Sequence, residues 1–170
     1  MNMPLTFINA TGNILVLFFI ERLGRRYIIL RMVPFMALSW LITAVGISFT
    51  DEEKSESMQD AGGKIAFAGL SCLLLTFSLG MGATPWVICS EIFPLHIIGT
   101  ANSLAATTNW TTNAFISEIF VLVTEISVTA KVIVYLSLAV VTFCCFIFTY
   151  FLIPETAKLS IESNLTNILK

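Results

Sequence analysis

Long stretches without a single ionised side chain constrain this chain most. Residues 1–20, 65–90 and 132–153 contain no Asp, Glu, Lys or Arg. A charge at mid-bilayer costs several kcal/mol while turns tolerate it, so charge-free runs of about 20 residues mark membrane-spanning helices. This pattern predicts spans at about 1–20, 27–50, 65–90, 101–124 and 132–153, with Arg31 inside the second and Glu118 toward the end of the fourth. The fold class expected is an all-α membrane protein with about five transmembrane helices. Gly80, Gly82 and Pro85 predict a break or bend near the end of the third.

Composition closes off other classes. Hydrophobic residues make up 56% of the 170 and charged residues 12%, against about 45–50% and about 25% in soluble domains. Five spans leave no room for a soluble catalytic domain. The net charge of −2 offers no basic surface for phosphates, which excludes nucleic acid as a partner. One His and four Cys inside apolar runs give no zinc-ligand spacing and no Ser/His/Asp or Cys/His set, so neither a metal site nor an enzyme is expected. Met1-Asn2-Met3-Pro4 lacks the basic start of a cleaved secretory signal.

All four arginines lie between residues 22 and 31, while the segment 51–64 carries five acids and two lysines. The positive-inside rule then predicts a cytoplasmic loop at 21–26, an external loop at 51–64 and, after five spans, a cytoplasmic tail at 155–170. His96 falls in a short interfacial turn, 91–96.

Polar side chains in a bilayer tend to face a bundle interior or a water-filled path. Asn2, Asn9 and Asn13 share one face of the first span; Asn102, Asn109 and Asn113 repeat the same offsets on the fourth, with Trp110 beside them. Such stripes serve either as interhelical glue or as a ligand path. Amides bind vicinal hydroxyls as donor and acceptor, and an indole face packs on the C–H face of a ring, a pairing suited to a neutral polyol. Glu118 is the one mid-span carboxylate that could couple protons, and that question stays open at this level.

Several short motifs resemble the sugar porters of the major facilitator superfamily, which include glucose transporters and inositol cotransporters. Glu21-Arg22-Leu23-Gly24-Arg25-Arg26 resembles the G-R-R loop between helices eight and nine of that family. Gly80-Met81-Gly82-Ala83-Thr84-Pro85-Trp86, followed by Ser90-Glu91-Ile92-Phe93-Pro94, resembles helix ten and its end. Asn109-Trp110 resembles the Asn-Trp pair of helix eleven, and Pro154-Glu155-Thr156 the P-E-T that closes helix twelve. The resemblance covers essentially the whole chain, yet only helices eight to twelve of a twelve-helix fold.

The resemblance implies a partial major facilitator fold whose complete form carries a neutral polyol, an inositol-like cyclitol or a hexose, by alternating access. It assigns substrate binding to Asn9, Trp86, Trp110 and Asn113, and a gate to Gly80, Gly82 and Pro85. Glu21, Arg25, Arg26 and Glu91 match a cytoplasmic ion-pair network that latches the two halves of the porter; anchoring to anionic lipid is the other use of the arginines. No cofactor is implied. Partners are the polyol, the bilayer, and the missing N-terminal helices or a full-length porter; the plasma membrane is the family default. Three departures stand out: Ile98 where the family has Arg, Ala157-Lys158-Leu159 after the P-E-T, and Ser78 where hexose uniporters carry Glu. The last leans toward the inositol branch. Against the reading as a fragment of a porter stands a second function, a truncated non-transporting isoform that regulates a full-length porter or senses sugar.

Overall fold

A computed structural model describes residues 3–51 and 54–153 of the chain. Six α-helices follow in order: α1 Met3–Leu23, α2 Arg25–Ser48, α3 Glu56–Phe77, α4 Thr84–Ile92, α5 Ile98–Thr124 and α6 Val128–Leu152. A five-residue π-helical segment, Ser78–Gly82, joins α3 to α4 without a loop, so Glu56–Ile92 runs as one 37-residue element. Among the described residues three elements are long and apolar enough to cross a membrane: α2, the continuous Glu56–Ile92 element, and α6. A shorter apolar stretch, Thr6–Ile20, lies in α1. The 27 residues of α5 would span about 40 Å, and the helix carries three Asn and six Thr.

The ends of the helices differ from the charge-based boundaries. The expected loop 21–26 shrinks to Gly24, whose φ of 90° turns the chain directly from α1 into α2. Much of the expected loop 51–64 is helical, because α3 begins at Glu56. Acids in a first helical turn are favourable, and nothing prevents a helix from projecting beyond the hydrocarbon layer as its polar residues begin. The α2–α3 connection is closed by Lys54, whose Nζ donates to Ser48 O at 2.6 Å and sits 4.7 Å from the centre of the Phe49 ring. The tail 155–170 lies outside the described residues.

Helix α2 is the centre of the bundle and packs along α3 on one side and α6 on the other. Its buried residues include Ile28, Ile29, Val33 and Met36. Against α3 the contact is made by small residues: a Cβ on Gly69 would lie 2.5 Å from Thr43 Oγ1, and one on Gly46 would collide with the Ala66 backbone. With lipid as apolar as the protein, such close approach is what holds membrane helices together. The buried hydroxyls of Ser39 and Thr43 are satisfied within α2, donating to Phe35 O at 2.8 Å and to Ser39 O at 2.9 Å. Trp40 of α2, Tyr135 of α6 and Phe120 of α5 form a ring chain with 5.7 Å between successive centroids. Helix α5 contributes no buried residue and touches α4 and α6 only along one edge.

Candidate functional site

The π segment organises the polar centre of the molecule. A π turn widens the helix by one residue and so breaks the regular backbone ladder. Here it falls where Gly80 and Gly82 let neighbours approach: a Cβ on Gly80 would lie 2.5 Å from Met32 Cβ, and one on Gly82 would lie 2.6 Å from Asn13 Oδ1. Pro85 follows in the first turn of α4, where its missing N–H costs little. The sequence predicts a break from the glycines and Pro85; the structure begins it at Ser78, before any of them.

On one side of this segment lies a cavity of about 500 Å³ between α4 and α5. Trp86, Trp110, Asn109 and Asn113 supply its aromatic and amide walls, and Met81 and Cys89 complete the side formed by the broken helix. None of its lining residues carries a charge. Trp110 is 70% exposed and Trp86 39%, so the cavity is open on the side away from α4. The structure therefore brings together three of the four residues predicted to bind substrate, Trp86, Trp110 and Asn113. It adds Asn109, which the amide stripe and the Asn-Trp pair marked without an assigned role, and Cys89 and Ala105, which sequence reasoning did not assign to a site. Helical spacing carries a signal for two of them, since Ala105, Asn109 and Asn113 repeat every four residues on one face.

Asn9, the fourth predicted residue, does not line that cavity. It sits beside the π segment in a polar cluster of its own. Its Oδ1 accepts from Asn13 Nδ2 at 2.8 Å and from Ser78 Oγ at 2.7 Å. The two sites meet at Gly82, whose backbone lines the cavity and abuts Asn13. Asn102 stands apart on α5, with its buried Oδ1 unbonded among the described residues. Glu118 is exposed on the same helix and lines no part of the cavity.

At the arginine-rich end, Arg25 Nη2 donates to Glu91 Oε1 at 2.8 Å, with the two side chains 13% and 25% exposed. Arg25 Nη1 also donates to Ile20 O at 3.1 Å, closing the C-terminal end of α1. Arg26 takes a different partner from a carboxylate: its Nη2 donates to Tyr150 O at 2.7 Å near the end of α6. These contacts tie α2 to α4, α1 and α6 within one turn of Gly24. The Glu21 side chain lies outside the described residues.

The chain resembles known proteins over most of its length. A family model described as "Sugar (and other) transporter" matches residues 1–165. Membrane transporter D1 of Leishmania donovani is 32% identical over 163 residues, which is 95% of this chain and 29% of that protein. Sugar transporter ERD6-like 11 of Arabidopsis thaliana is 32% identical over 146 residues, 86% of this chain and 30% of the relative. Probable inositol transporter 2 of Arabidopsis thaliana is 34% identical over 100 residues, covering 59% of this chain and 17% of the relative. Among solved structures, the inward-open xylose transporter XylE from E. coli superposes with a TM-score of 0.76 at 21% identity, covering 96% of this chain and 34% of that one. The chain thus spans less than a third of the length of the first two relatives.

Proposed function

Since the chain belongs to the sugar transporter family of the major facilitator superfamily, we propose that it forms one wall of the substrate path of a porter for neutral polyols. The observation that carries this reading is the uncharged cavity framed by Trp86 and Trp110 with Asn109 and Asn113. A charged ligand in low dielectric needs a countercharge, and the lining offers none. Indole faces suit the apolar face of a sugar or cyclitol ring, while carboxamides supply a donor and an acceptor to neighbouring hydroxyls. The cavity volume falls in the range that holds small ligands, about 300–1,000 Å³. Inositol-like cyclitols and hexoses are the substrates proposed, and Asn9 with its hydrogen-bonded neighbours extends the same path beyond Gly82.

In the complete porter the open side of the cavity faces the other half of the molecule, and alternate exposure follows from rocking of the two halves about it. The α1–α2 turn with Arg22, Arg25 and Arg26 lies on the cytoplasmic side in this reading, where arginines accumulate. The Arg25–Glu91 pair then fastens α2 to the end of the broken helix on that side.

Ligand binding to the chain in lipid nanodiscs tests the proposal through tryptophan emission. Trp40→Phe leaves Trp86 and Trp110 as the reporters. Inositol and glucose are expected to change the emission saturably, and Asn113→Ala to weaken the response by about 3–10-fold, the value of one or two neutral hydrogen bonds. An anionic analogue such as an inositol phosphate is expected to give no response. Failure of every neutral polyol to do so, or equal binding of the anion, overturns the reading.

A further inference from the structure

We propose that Ser78 is a positioning residue, whose hydroxyl holds the Asn9 carboxamide so that its NH2 group, with Asn13 Oδ1, stays free to meet a vicinal diol. The inference rests on the reading of the site as a polyol path. Ser78 opens the π segment and is fully buried. Its Oγ lies 2.7 Å from Asn9 Oδ1 and 2.7 Å from Leu74 O. A hydroxyl has one proton to give, so the two acceptors compete for it. Leu74 O also receives the backbone N–H of Ser78; the hydroxyl proton given to Asn9 is the one that joins α1 to the π segment.

Asn9 Oδ1 then accepts twice, from Ser78 Oγ and from Asn13 Nδ2. Two donors on the oxygen hold the carboxamide with its NH2 group turned away from Ser78 and Asn13; turning it over would require Asn13 to turn as well and Ser78 to give its proton to Leu74 O. Both Nδ2 hydrogens of Asn9 remain without a described partner, and Asn13 Oδ1 remains beside Gly82 at the cavity edge. One hydroxyl of a diol can accept from Asn9 while its neighbour donates to Asn13. Gly12 makes the arrangement sterically possible, since a Cβ there would lie 2.6 Å from Ser78 Cβ. A residue larger than Ser at position 78 has no such room, which accounts physically for the small hydroxyl at this place in the broken helix.

The test uses the whole chain, labelled with 15N-asparagine and placed in lipid nanodiscs, with the side-chain amide signals of Asn9 and Asn13 followed by NMR. Ser78→Ala and the near-isosteric, weakly donating Ser78→Cys are compared with the unaltered chain. The expected result is that both substitutions move the Asn9 and Asn13 signals and leave those of Asn102, Asn109 and Asn113 in place. Inositol affinity is expected to fall about 3–10-fold in Ser78→Ala and less in Ser78→Cys. Asn9 signals that stay put in both variants, or that move without any change in inositol affinity, overturn the proposal. If the signals move as expected but neither inositol nor glucose perturbs the unaltered chain, the polyol reading falls and the Ser78–Asn9 contact stands.

Discussion

Arg25 and Glu91 lie 66 positions apart and meet at 2.8 Å. With both side chains mostly withdrawn from water, losing either partner leaves a charge with poor solvation. Replacing Arg25 by Met or Glu91 by Leu is expected to lower stability by about 1–3 kcal/mol each, and the double substitution by less than the sum. Thermal unfolding in detergent across that mutant cycle checks it; strict additivity would show that the pair is not coupled. The resemblance of the G-R-R and E-I-F-P motifs to the ion-pair network of sugar porters, and not their charges alone, is what pointed to this pairing. The partner of Arg26 was not legible, because Tyr150 offers a backbone carbonyl and every residue has one. Nor was the Ser78–Asn9 bond, since it depends on the depth and rotation at which two helices cross and neither is written in the spacing of one helix.

At the scale of elements, charge-free runs coincide with the three long apolar elements, α2, Glu56–Ile92 and α6, while the helix ends lie elsewhere than the changes of charge. Burial pressure acts on the part of a helix inside hydrocarbon, whereas the ends at Glu56 and Leu23 follow local backbone preference and the turn at Gly24. The glycines and Pro85 pointed to a break, yet its π form was invisible, because it needs one residue more per turn and no residue type encodes that count. The form has a consequence for register. Deleting Met81 is expected to return the segment to α-helical winding and to leave α4 in nearly its present phase, since the π turn already absorbs one extra residue. Trp86 would then stay at the cavity and Glu91 beside Arg25. Cysteines in place of Arg25 and Glu91, joined by a short thiol-reactive crosslinker in both the parent chain and the deletion variant, give the measurement; loss of crosslinking in the deletion variant would mean that the segment does not absorb the extra residue.

At the scale of the whole molecule, α5 contributes no buried residue, and Trp110, Phe115 and Leu122 are exposed along it. Exposure of this kind leaves the helix open to lipid or to another body, and the chain spans 29% and 30% of two relatives. The 170-residue chain alone is expected to give no saturable polyol uptake in liposomes. An antibody to residues 155–170 is expected to detect, in native membranes, a product roughly three times the 18.7 kDa of this chain; a band at 18.7 kDa favours the regulatory isoform. The broken helix also has a mechanical side. Were α4 to swing as a stiff arm about Ala83, Trp86 would sit about 4–5 Å from the fulcrum and Glu91 about 12 Å away. A swing of about 10° moves Trp86 by less than about 1 Å but carries Glu91 about 2 Å, enough to part it from Arg25. On that geometry, a ligand pressing on the indole near the pivot would be amplified into release of a charge pair at the far tip of the arm.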